Sequence, residues 1–141
     1  MNFEDIIQKN RSCRRFYEDF EISMDVLRKL VGYARVSASS GNIHATIDTD
    51  VGIAAQSILL GATSIGLGGC MFGSVNRVGL RKKFQIPRKF QIPLVIALGK
   101  PKETIKIEKV DSTGNIVYWR DEEMTHHVPK RSLDELIVDF R

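Results

Sequence analysis

Two cysteines, Cys13 and Cys70, are all that this chain of 141 residues carries, and they stand too far apart for a disulfide framework or a metal-ligand spacing. Reduced thiols are expected. The opening MNFEDIIQKNRS puts acids ahead of its bases and holds no long apolar run, so it reads as neither signal peptide nor anchor. The helical stretch after Asp50 is interrupted by Gln, Ser, Thr and Gly, too short and too polar to span a bilayer, and a cytoplasmic location is expected. Net charge is small as well. The formal balance is +4, with basic residues dispersed or paired with acids, which suits an anionic small ligand as readily as nucleic acid. Aromatics do not interleave with the bases and no reading-head motif occurs, which disfavours a nucleic-acid module. His126 and His127 are adjacent but lack a third ligand nearby, so no metal site is expected.

What is present is the material of one soluble domain, long enough to bury about two thirds of its unfolded surface. Its organising stretch is 48–74, where Val51, Ala54, Ala55, Ile58, Leu59, Ala62 and Ile65 recur at helical spacing. Small residues (Gly52, Ser57, Gly61, Ser64) crowd the same helix and let another backbone approach closely. Gly66-Leu67-Gly68-Gly69 stops it, and Cys70-Met71-Phe72 reads as a short buried strand before a Gly73-Ser74 turn. On residues alone, this unit is a core helix feeding a core strand.

A short amphipathic helix is expected over 2–9, with Phe3, Ile6 and Ile7 inward. After it, Arg11-Ser12-Cys13-Arg14-Arg15 places three guanidinium groups and a hydroxyl where the helical pattern lapses. Arginine forks match phosphate oxygens bidentately, so the segment is either a phosphate cradle or a solvated basic turn pairing with Glu18 and Asp19. Ser23 is a suitable N-cap for a helix over 24–37, striped by Val26, Leu27, Leu30, Val31 and Ala34. The loop 37–44 that follows offers hydroxyls, an amide and the His44 imidazole. A short surface helix with a basic face (Arg77, Arg81, Lys82, Lys83) is expected within 75–84, then a connector bracketed by Pro87 and Pro93. The run 94–99 reads as a strand buried on both faces at the sheet centre. Residues 104–110 and 115–119 read as a hairpin around Asp111–Gly114, and Ser132-Leu133-Asp134-Glu135 as the capping-box start of a closing helix, 133–138.

Taken in order, RSCRRF, SSGN, DVGIAAQSILLGATSIGLGGCMFG, IPLVIALGKP and PKRSLDELI resemble the FMN-dependent nitroreductase family. The resemblance implies an α+β sandwich, a mostly antiparallel sheet flanked by helices, in a single domain spanning the chain. It also implies a homodimer with an FMN at each of two sites across the interface, and no membrane or nucleic-acid partner. Matched position by position, Arg11, Ser12 and Arg14 would hold the phosphate and ribityl chain, and Lys130 and Arg131 would close on the same phosphate. Ser39, Ser40 and Asn42 would reach the flavin from the other subunit, with Ala38 where proline is usual and His44 where the family has glutamine. Met71, Phe72, Gly73 and Ser74 would lie along the ring. The implied activity is NAD(P)H-dependent reduction of nitroaromatic, quinone or similar acceptors by a ping-pong sequence. The flavin does the redox chemistry, so no catalytic side chain is named. The alternative is a catalytically silent flavin-binding or dimeric interaction protein on the same scaffold. Family members continue past the SSxN loop through further strands and helices. Here that block is missing between about His44 and Asp48.

Overall fold

The computed structural model describes residues 1–34 and 47–137. Its elements run α1 (Phe3–Lys9), α2 (Met24–Tyr33), α3 (Ile47–Ser64), β1 (Gly68–Phe72), α4 (Arg77–Lys83), β2 (Val95–Gly99), β3 (Thr104–Lys109), β4 (Trp119–Arg120), β5 (Thr125–Lys130) and α5 (Leu133–Leu136). This is the expected α+β class. Among the described residues the strands form two sheets, an antiparallel β1-β2 pair and a three-stranded sheet ordered β3-β5-β4.

Local chemistry accounts for the helices. Asn2 caps α1 through a capping box with Asp5, and Ser23 accepts from the Val26 N–H at the start of α2. α3 is the hub, in contact with α1, α2 and β1. Ala62 on α3, Leu30 on α2 and Leu67 beyond the helix form the core cluster, with Ile22, Val26, Ile58 and Leu98 packed around it. The small residues of α3 serve close approach: a Cβ at Gly61 would stand 2.5 Å from the Tyr33 ring of α2. Gly66 turns the chain out of the helix at φ +81°. β1 then begins earlier than the sequence suggests, because Gly68 and Gly69 are strand residues rather than a stop. A Cβ at Gly69 would stand 2.5 Å from Leu59 and 2.9 Å from the Ala97 carbonyl, so glycine lets α3 and β2 close on the strand together.

Several expectations need correction. In α1 only Ile6 is half-buried, while Phe3 is 72% exposed and Ile7 38%, because the short helix presents a single turn-face to α3. Val31 on α2 and Ile65 past α3 are exposed as well. α2 ends at Tyr33 and the closing helix at Leu136, short of the expected 138, while Ser39, Ser40, Asn42, His44 and Val138 lie outside the described residues. β2 is half-buried and pairs only β1 among the described residues, so its apolar run does not mark a sheet centre. The expected hairpin does not form either. The turn exists, with the Gly114 N–H donating to Asp111 C=O, but β3 pairs β5 in parallel and β4 pairs β5 antiparallel. The segment 125–130, read in sequence as a lead-in to the last helix, is thus the middle strand. A proline and two histidines hid it. Pro129 falls beyond the two positions that β4 pairs, where β5 is bonded on one side and a missing N–H is tolerated.

α4 carries its expected basic residues, yet two of them are committed to the backbone. Arg77 donates to the carbonyls of Gly73, Ile92 and Pro93, and Arg81 to those of Ile86, Pro87 and Phe90. They hold the proline connector.

Candidate functional site: a cationic pocket between the two chain ends

The segment after α1 is held as an added partial strand. Ser12 bridges Gly69 in parallel, the Cys13 N–H donates to the Gly69 carbonyl at 2.9 Å, and Lys102 N–H donates to Arg15 C=O at 2.9 Å. Strand alternation then turns Cys13 inward, 1% exposed, where burial pushes its thiol up to about 11. Both cysteines are buried and unpaired. Ser12 and Arg14 face the other way.

There they meet the end of the second sheet. A cavity of about 300 Å³ is lined by Arg11, Ser12 and Arg14 on one side and by Tyr118, His126 and Lys130 on the other. Arg11 uses one nitrogen on the carbonyls of Ile7 and Asn10, at 2.7 and 2.8 Å. Arg14 lies over the Tyr118 ring, 5.0 Å from its centroid. Among the described residues neither pairs with Glu18 or Asp19, and Ser12, Arg14 and Arg15 are exposed to solvent.

Beneath the cavity sits Glu103, its side chain fully buried. Its Oε1 accepts the N–H groups of Arg14 and Arg15 at 2.6 and 3.2 Å, and its Oε2 accepts from Arg120 Nε at 2.9 Å. Burial alone would raise its pKa, but the Arg14 N–H and the Arg120 guanidinium outweigh burial and hold the carboxyl below its usual range. His126 Nδ1 stands 3.7 Å from the same Oε2, beyond hydrogen-bond distance. Both His126 ring nitrogens are buried without a hydrogen-bond partner. Burial first, then the Arg120 charge, lowers its pKa, leaving a neutral imidazole at pH 7.

The remaining expected site residues are distributed as follows. Arg131 lines a neighbouring, more apolar cavity of about 440 Å³ with Ile116 and Leu136, and Lys130 and Tyr118 form the wall shared with the first. Met71, Phe72, Gly73 and Ser74 are not in the cationic cavity. They lie at the far end of β1, roughly 10 Å along the strand from Gly69, where Ser12 is bridged. Sequence reasoning missed Glu103, Tyr118 and Arg120, and weighed His126 only as a metal ligand. Glu103 gave no signal in the polar KPKETIK. The aromatic pair Tyr118-Trp119 before Arg120 was the one available cue.

On the opposite face of β5, His127 donates to Glu108 at 2.7 Å and to Asp121 at 3.0 Å, with its ring stacked on Trp119. With a carboxylate on each nitrogen, the proton count requires an imidazolium. Among the described residues no three His, Cys, Asp or Glu side chains form a metal-holding group.

In this α+β fold the N-terminal basic segment packs against the strand after the long helix and shares a cavity with Lys130, and solved structures show the fold to be that of nitroreductases. A nitroreductase family protein from Clostridium novyi NT superposes with a TM-score of 0.61 at 21% identity, covering 72% of this chain and 88% of that one. An FMN-dependent nitroreductase from Clostridium difficile R20291 does so at 0.55 and 21%, covering 70% and 87%. The nitroreductase family protein of Streptococcus pneumoniae TIGR4 gives 0.61 at 10%, covering 84% and 100%. At these identities the likeness is one of fold. The Nitroreductase family model matches residues 44–100, the part of the chain that holds the long helix, β1 and β2. No curated protein matches the chain in sequence.

Proposed function

We propose that this chain is an FMN-dependent NAD(P)H oxidoreductase that reduces nitroaromatic, quinone or similar acceptors in two alternating half-reactions. The observation that carries the reading is the convergence of Arg11, Ser12 and Arg14 with Lys130 on one cavity, from opposite ends of the chain. The donor set fits a phosphate monoester, which carries close to two negative charges and several acceptor oxygens. Arg11, Arg14 and Lys130 would compensate the charge, Ser12 would donate its hydroxyl, and Arg131 would close from the adjoining cavity. Met71 to Ser74, displaced along β1, suit contacts to the ring and its edge rather than to the phosphate. Ser39, Ser40 and Asn42 are assigned to the partner subunit's site. Bound flavin would supply the hydride acceptor and electron donor; the chain's residues bind it, orient it and limit water around it. The FMN dependence of a similar solved structure supports the cofactor.

A homodimer is part of the reading. Ile53 on α3 is 52% exposed, on the helix face that its small residues leave open to a second copy. We place the protein in the cytoplasm and take it as a shortened member of the family, lacking the block between about His44 and Asp48.

The test is steady-state oxidation of NADH and NADPH by the FMN-loaded protein with a nitroaromatic and a quinone acceptor. Parallel double-reciprocal lines are expected. Retained flavin without NAD(P)H oxidation would make the chain a silent flavin-binding protein instead.

A further inference from the structure

We propose that Glu103 is the positioning residue of the cationic pocket, joining its two halves through one buried carboxylate. The inference rests on the reading of that pocket as a phosphate site. One half is the 11–15 segment; the other comes from 118–130. Glu103 belongs to neither, yet it accepts the backbone N–H of Arg14 and Arg15 on one oxygen and the Arg120 guanidinium on the other. The Arg14 backbone is thereby set before any ligand arrives, and with it the origin of the guanidinium that overlies Tyr118. A loop ordered in advance spares the ligand that ordering cost, and the saving falls only to a group that reaches the guanidinium. In a flavin nucleotide that group is the phosphate, so Glu103 acts on the affinity for FMN and leaves riboflavin alone.

The test compares FMN and riboflavin dissociation constants for the full chain and two variants, with thermal unfolding alongside. Glu103→Gln keeps the shape but sets an amide NH₂ against Arg120. Arg120→Lys keeps the positive charge but gives up the guanidinium contact with Glu103 from β4, and it carries the test if the first variant does not fold. Glu103→Gln should weaken FMN binding about tenfold, the value of a charge-assisted hydrogen bond, with riboflavin unchanged. Arg120→Lys should act in the same direction, less strongly, with the net charge unchanged. Simple removal of a negative charge near an anion would raise FMN affinity, so a fall identifies positioning. An unchanged ratio of FMN to riboflavin affinity in folded variants overturns the inference and leaves the flavin reading standing. If the unaltered protein binds neither flavin, the flavin reading fails, and inorganic phosphate becomes the probe. Shifts of the Ser12 and Arg14 amide resonances that need about tenfold more phosphate in Glu103→Gln support the positioning role. No shift in the unaltered protein overturns it.

Discussion

Arg14 and Lys130 approach the same cavity from chain segments far apart in sequence, and each offers a charge that no carboxylate claims among the described residues. Replacing either by alanine should weaken FMN binding by about 1.5–3 kcal/mol and spare riboflavin, measured by flavin absorption titration. Equal losses for both flavins would move the phosphate elsewhere. On the other face of β5, Asp121 first and Glu108 second raise the His127 pKa, while their own carboxyls are lowered by it. The folded chain therefore binds the imidazole proton more tightly than the unfolded chain. The stability so gained is complete below the ordinary histidine value of about 6.5 and is lost as pH rises through the raised folded value. On the acid side the two carboxylates behave oppositely, contributing fully above about pH 4.5 and losing the contribution as pH falls through their lowered values. The clamp is thus strongest between those limits. Thermal unfolding midpoints should decline from about pH 6.5 upward in the native sequence, and His127→Gln should flatten that slope. Identical slopes would show that the clamp contributes nothing. Trp119, the chain's single tryptophan, stacks on this ring and gives a local fluorescence readout.

At the scale of elements, β1 depends on a residue without a side chain. Gly69→Ala would drive a Cβ to 2.9 Å from the Ala97 carbonyl, which backbone pairing holds in place, and should cost about 1–3 kcal/mol in denaturant unfolding. Gly32→Ala, on α2 with nothing within 4 Å, should instead stabilise by about 0.5–1 kcal/mol. No loss at Gly69 would contradict the packing argument, and a loss at Gly32 the helix-propensity argument. Most of the helices and the core of β1 were legible because their signals are local: the caps at Ser23 and Ser132, and the apolar period of α3. β5 was not, since its order between β3 and β4 is a long-range pairing and its His-His-Val-Pro text has neither alternation nor strand propensity. The same holds for the site. Arg11, Ser12, Arg14 and Lys130 announce themselves as cations near a hydroxyl, whereas Glu103 is an ordinary surface letter until β3 turns it under the pocket.

Taken whole, the molecule has little interior for its length. Among the described residues the buried hydrophobic positions are Cys13, Leu30, Ala55, Leu59, Ala62, Leu67 and Cys70, while Phe3, Val78, Val117 and Leu133 are each more than 60% exposed. On the proposed homodimer, part of this exposed apolar surface is covered by a second copy. Sedimentation equilibrium should return twice the 15.9 kDa chain mass, and a monomer at micromolar concentration would remove the shared-site reading. The central claim, that the pocket between the chain ends holds the phosphate of a working flavin, is tested most directly by the absorption spectrum of the protein titrated with FMN and then given excess NADH without oxygen. The account expects flavin bands that shift on binding and bleach with NADH. Bands that stay those of free FMN would contradict it.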